Sequence, residues 1–181
     1  MIGYGASLML QDWHDYFFLI GSSAAALIGL MFVVVTLTAG RDRAEVERGK
    51  QLYTSPIVWH LAAVLVVSSA AIVPAASPAF LGLAAGAAAV LGIIIGLRSA
   101  LGIVRRPGAP GAMSFDMFWY GIAPALVYVG MEAAAFGIVA GRSWGAGLLA
   151  ADLMALLLVS IHAEWDLVTY LAPIAGPPDP R

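Results

Sequence analysis

Between Lys50 and Arg98 the chain carries no Asp, Glu, Lys or Arg. A helix needs about 20 mainly apolar residues to cross the hydrocarbon core of a bilayer, so residues 51–97 hold enough for two crossings. The run must break once, and "VPAASPAF" is the place, with Pro74 and Pro78 bracketing small residues. Proline cannot continue a helical ladder, which predicts a tight hairpin there.

The rest of the chain has the same character. It is 61% hydrophobic and 11% charged, where a soluble domain carries about 25% charged residues. An all-α integral membrane protein of one domain, residues 1–181, follows as the expected class. Five segments are predicted to span, at about 16–39, 54–75, 79–104, 115–140 and 145–169. The first is read as a retained span, because the apolar run from Tyr16 to Thr38 outlasts the roughly 7–15 residues of a signal peptide. "RRPGAPGAM" links the third and fourth spans, and "AGRSWGAG" turns the fourth into the fifth. No repeat of 20–50 residues is evident, and five spans do not divide into the equal halves of an inverted-repeat transporter.

Lys and Arg placement sets the expected orientation. Arg41, Arg43, Arg48, Lys50, Arg98, Arg105, Arg106 and Arg181 fall on one side of a five-span arrangement, and Arg142 falls on the other. This predicts an N-terminus outside and a C-terminus in the cytoplasm of a bacterial inner membrane. Tyr53, Trp59, Trp119, Tyr120, Trp165 and Tyr170 map to the cytoplasmic interface, and Trp13, Tyr16 and Trp144 to the outer one, the depth that amphipathic rings prefer. The net charge of −2 gives no support to a nucleic-acid partner. The absence of cysteine excludes disulfides, thiolate metal sites and iron–sulfur clusters.

Small residues recur every four positions: Gly21, Ala25 and Gly29; Gly82 and Gly86; Gly92 and Gly96; Gly137 and Gly141. Such stripes let membrane helices approach closely. They read either as packing within one chain or, for the third span, as a subunit interface of a homo-oligomer.

Ionisable groups inside hydrocarbon are costly, so each is a functional candidate. Glu132 precedes Gly141 by nine residues and Asp152 follows Gly145 by seven. At about 1.5 Å per residue they lie roughly 13 Å and 10 Å below the same turn. If the fourth and fifth spans are antiparallel neighbours, the two carboxylates are expected to meet at one depth, sharing a proton or holding a cation. Tyr128 lies one turn from Glu132, and Pro124 frees the carbonyl of Tyr120, an expected kink. Asp12, His14 and Asp15 would form an outer mouth.

A second layer contains His60, His162, Glu164, Asp166 and Asp116. His162 and Asp166 share one helix face at four-residue spacing. His60 and His162 fall at similar depth and are candidates for a cytoplasmic-side gate or relay, with Asp166, or alternatively for the axial ligands of a haem. The polar residues also have a plain structural reading, as hydrated or hydrogen-bonded groups. There is no Walker motif, no Gly-rich dinucleotide motif, no HExxH and no G-x-S-x-G, so no enzyme is expected.

"YFFLIGSSAAALIGLMFVVVTLTAG" and "YTSPIVWHLAAVLVVSSAAIVP" resemble a widespread group of small, uncharacterised bacterial membrane proteins. Their first helix is Gly/Ala/Ser-rich, and a Thr/Pro–Val–His motif opens the second. The matching positions are Thr54, Pro56, Val58 and His60, with Trp59 as an extra bulky residue. The resemblance covers roughly the first 75 residues and implies a multi-span membrane protein, with His60 as a marked position. The shared depth of Glu132 and Asp152, not the resemblance, makes a channel or permeation module for a proton or cation the leading functional expectation. Its alternatives are a non-catalytic accessory subunit of a larger membrane complex and a haem-binding redox protein.

Overall fold

The computed structural model describes residues 12–37, 55–74, 76–104 and 117–171, and among these it is all helical. The helices are α1 (His14–Leu37), α2 (Ser55–Ile72), α3 (Pro78–Val104), α4 (Ala123–Val139) and α5 (Trp144–Leu171), with a π-helical turn (Phe118–Ile122) leading into α4. Arg41, Arg43, Arg48, Lys50, Arg105, Arg106 and Arg181, which carry most of the expected orientation, lie outside the described residues, as do Tyr53, Thr54 and Asp116.

Four of the helices are long and apolar enough to cross a membrane: α1, α3, α5, and α4 together with its π turn. The fifth, α2, is an apolar helix of shorter length, Pro56–Ile72. Helices apolar on all sides suit lipid, where every backbone group must be satisfied within its own segment.

The helix ends follow from local chemistry. Ser77 caps α3: its Oγ accepts the Phe80 N–H at 3.1 Å, and Pro78 occupies the first helical position, where no N–H is missed. This is the turn expected in "VPAASPAF". α4 ends at Ala140 and Gly141, where Gly141 adopts φ 65°. The Arg142 N–H reaches the Gly137 carbonyl at 2.8 Å and the Gly141 N–H reaches that of Ile138 at 3.1 Å, a Schellman closure that needs a left-handed residue. Ahead of α4, Pro124 brings no N–H, and the Ala123 N–H bonds to the Phe118 carbonyl five residues back. One residue is thus accommodated as a π turn, as happens where the regular ladder is interrupted.

α2 and α5 form the centre. α2 packs on α1, α3 and α5; α5 packs on α1, α2 and α4; α3 closes the ring against α4. Burial agrees, since 56% of the α5 span is enclosed and only 28% of the α1 span. The starts of α1, α3 and α5 share one end of the bundle with the ends of α2 and α4, here called the hairpin end. The opposite end is the loop end.

The glycine stripe of α3 is occupied. Gly82 lies against Val139, Gly86 against Glu132 and Ala135, Gly92 against the Tyr128 ring, and Gly96 against Gly121 and Ala125. The stripe is thus the α3–α4 seam within one chain, which corrects its reading as a subunit interface. On α1, Gly21 meets Ser68 of α2, whereas Gly29 has nothing within 4 Å among the described residues.

Candidate functional site

The most enclosed polar pair joins α2 to α4. His60, 2% exposed, and Tyr128, 0% exposed, share a hydrogen bond of 2.8 Å between His60 Nδ1 and the phenol oxygen. Their rings stand 5.5 Å apart at 47°. Pro56 starts α2 one turn before His60, so the imidazole leaves a first turn pre-shaped by the fixed proline φ. Tyr128 is seated by Gly92, because any side-chain carbon there would overlap its ring. The Trp59 indole nitrogen is buried beside the same phenol. The imidazole and phenol satisfy each other, and the bond supports either donor: Tyr128 O–H to a bare Nδ1, or Nδ1–H to the phenol oxygen. A pair with two interchangeable donor states is the unit from which a proton relay is built.

Glu132 shares the α3-facing side of α4 with Tyr128. It is half-buried, its Oε2 lies beside Gly86, and its Oε1 is enclosed with no hydrogen-bond partner among the described residues. Asp152, 8% exposed, reaches α4 from the other side. Its carboxylate fills the space left by Gly130, and its Oδ2 has no partner among the described residues.

The expected meeting of Glu132 with Asp152 therefore needs correction. The two share a depth, since Asp152 sits at the level of Gly130, only two residues from Glu132. They differ in azimuth. Two residues along a helix turn through about 200°, so Glu132 faces α3 while Gly130 faces α5. α4 stands between the two carboxylates.

A second cluster forms around the π turn. Trp119 stacks on His162, with ring centroids 4.2 Å apart at 40°. His162 Nε2 stands 3.5 Å from Asp166 Oδ2, and the Tyr120 hydroxyl donates to the same oxygen at 3.4 Å. The expected His162–Asp166 pair is present, with Tyr120 and Trp119 added by the π turn. The expected partnership of His60 with His162 is replaced: His60 engages Tyr128, and His162 engages Trp119 and Asp166. This arrangement gives the proposed haem ligation no converging pair of imidazoles. Among the described residues no three His, Asp or Glu side chains converge as metal ligands.

At the hairpin end, Asp12, His14 and Asp15 are exposed, and His14 Nδ1 lies 3.2 Å from Asp15 Oδ1. They sit at the rim beside an aromatic clasp. Trp13 and Tyr16 meet edge to face at 5.6 Å, Trp13 lies by Gly147, and the Tyr16 hydroxyl bonds to the Ala150 carbonyl at 3.3 Å. The clasp fixes the start of α1 to α5.

Sequence reasoning missed the His60–Tyr128 bond and the two glycine seats, Gly92 and Gly130. The available signals were the proline four residues after Tyr120 and the glycines at the depth of each polar residue, but choosing among them requires the helix faces. Comparison of the chain with protein-family models, curated proteins and solved structures returned no match, so the residues themselves carry the functional reading.

Proposed function

We propose that this chain is a five-span bacterial inner-membrane protein that passes protons through its helical bundle, with the N-terminus outside and the C-terminus in the cytoplasm. α2 supports the five-span reading: its 18 residues reach about 27 Å at 1.5 Å each, close to the roughly 30 Å hydrocarbon core. Tyr128 and His60 are the central link. Glu132 and Asp152 deliver protons from the hairpin side, and Tyr120, Asp166 and His162 exchange them at the loop end. Asp12, His14 and Asp15 form the outer rim.

The observation that carries this reading is the buried His60–Tyr128 hydrogen bond, at a depth flanked by two carboxylates that each keep an enclosed, partnerless oxygen. A lone ionisable group in hydrocarbon is expensive, by roughly 2.5–3.5 kcal/mol on insertion scales. Several grouped around one helix, α4, are best explained by a path they serve. A metal cation needs several converging ligands, whereas a proton can pass between one donor and one acceptor, and the His60–Tyr128 bond is such a pair.

The test is proton flux in proteoliposomes loaded with a pH-sensitive dye and driven by a potassium gradient. Glu132→Gln and Asp152→Asn are each expected to slow flux at least fivefold. Equal flux in both variants would remove the carboxylates from the path. No flux above protein-free vesicles, in wild type and variants alike, would favour the non-catalytic accessory subunit.

A further inference from the structure

Glu164 takes no part in the relay. It follows His162 by two residues and precedes Asp166 by two, so it points to the opposite side of α5, away from α4. There it lines a groove of 320 Å³ between α1 and α5 whose other walls include Leu30, Met31, Ile161, Trp165 and Val168. Among the described residues the walls are apolar except for this carboxyl. Its Oε1 is enclosed and has no hydrogen-bond partner among the described residues.

We propose that this groove binds a lipophilic organic cation: an amine, quaternary ammonium or phosphonium centre carried on an apolar body. The groove has the size of a small-molecule site, for which about 300–1,000 Å³ is usual. It lies between two apolar helices that are long enough to sit in lipid, so an occupant with an apolar body that partitions into hydrocarbon suits it. Among the described residues the only ionisable group in the walls is an acidic one, which disfavours anions and leaves a neutral ligand without a reason to seat at Glu164. A cation supplies the partner that the enclosed carboxyl oxygen lacks. Trp165 on the rim, 69% exposed, offers an aromatic face that attracts a cation within about 6 Å. This inference stands apart from the proton path, whose residues face α4.

The probe is methyltriphenylphosphonium, titrated calorimetrically into protein held in lipid nanodiscs, with empty nanodiscs subtracted and neutral triphenylphosphine oxide as the comparison. Saturable binding of the phosphonium is expected, with no saturable binding of the oxide. Glu164→Gln, nearly isosteric, is expected to weaken phosphonium binding at least tenfold. Ile161→Trp, at a 43% exposed position, fills the groove and is expected to abolish binding with Glu164 intact. Thermal unfolding of both variants, with a cooperative transition expected in each, checks that they fold. Absence of saturable binding by the wild type, equal binding of the neutral oxide, or unchanged affinity in Glu164→Gln would each overturn the proposal.

Discussion

At the scale of single residues, polar chemistry in this bundle depends on what glycine leaves out. Tyr128 packs closely on α3 because Gly92 has no side chain, and Asp152 reaches α4 because Gly130 has none. Gly92→Ala forces the Tyr128 ring to move, and overpacking of that kind costs ~1–3 kcal/mol. The expected result is a clear fall in the thermal midpoint of detergent-solubilised protein. Gly29→Ala, where nothing among the described residues lies within 4 Å, is expected to leave the midpoint unchanged. Tyr128→Phe leaves His60 Nδ1 buried without its partner, at a cost of ~1–3 kcal/mol. A double-mutant cycle with His60→Leu should show a coupling of ~0.5–3 kcal/mol if the bond stabilises the fold as drawn. Additive effects would mean that the two residues act separately.

At the scale of elements, the π turn and the α4–α5 turn do most to place side chains. The π turn exists because Pro124 has no N–H and the Ala123 N–H reaches back five residues to Phe118. It sets Trp119 and Tyr120 against His162 and Asp166. Pro124→Ala restores a donor and permits a regular helix, which rotates residues 118–122 relative to α5. Because the chain has no cysteine, this can be read directly. Tyr120→Cys with Asp166→Cys should cross-link through a short bifunctional thiol reagent, and should do so less in a Pro124→Ala background. Equal yields would show that the π turn does not set the contact. Gly141→Ala places a side chain at φ 65°, a left-handed position that costs ~1–2 kcal/mol for other residues; a matching loss of thermal stability is expected.

The same two elements show what sequence reading reaches and what it does not. Helices and turns are legible because they follow from local composition: an unbroken apolar run, a proline pair around Ser77, a glycine before Arg142. Depth is legible as well, since counting from the α4–α5 turn puts Glu132 and Asp152 at one level. Azimuth is not. Whether Glu132 faces α3 or α5 depends on which neighbours α4 acquires, and an all-round apolar helix carries no polar face to signal them. His60 escapes for a related reason. Counting along α2 assigns it to the layer of His162, but the long Tyr128 side chain reaches across depth to meet it.

At the scale of the molecule, the bundle separates two kinds of polar group. Those facing α4, or carried on it, fall into separate groups: Glu132 and Asp152 on opposite sides of α4, the His60–Tyr128 pair, and Tyr120 with Asp166 and His162. Glu164 stands apart between α1 and α5. The central claim is that protons cross through the Tyr128–His60 bond. The most direct measurement is dye-reported proton flux in proteoliposomes containing wild-type protein, Tyr128→Phe or His60→Leu, with each variant first shown to be folded. Measurable wild-type flux is expected, falling at least tenfold in both variants. Flux at the wild-type rate in folded Tyr128→Phe would contradict that claim.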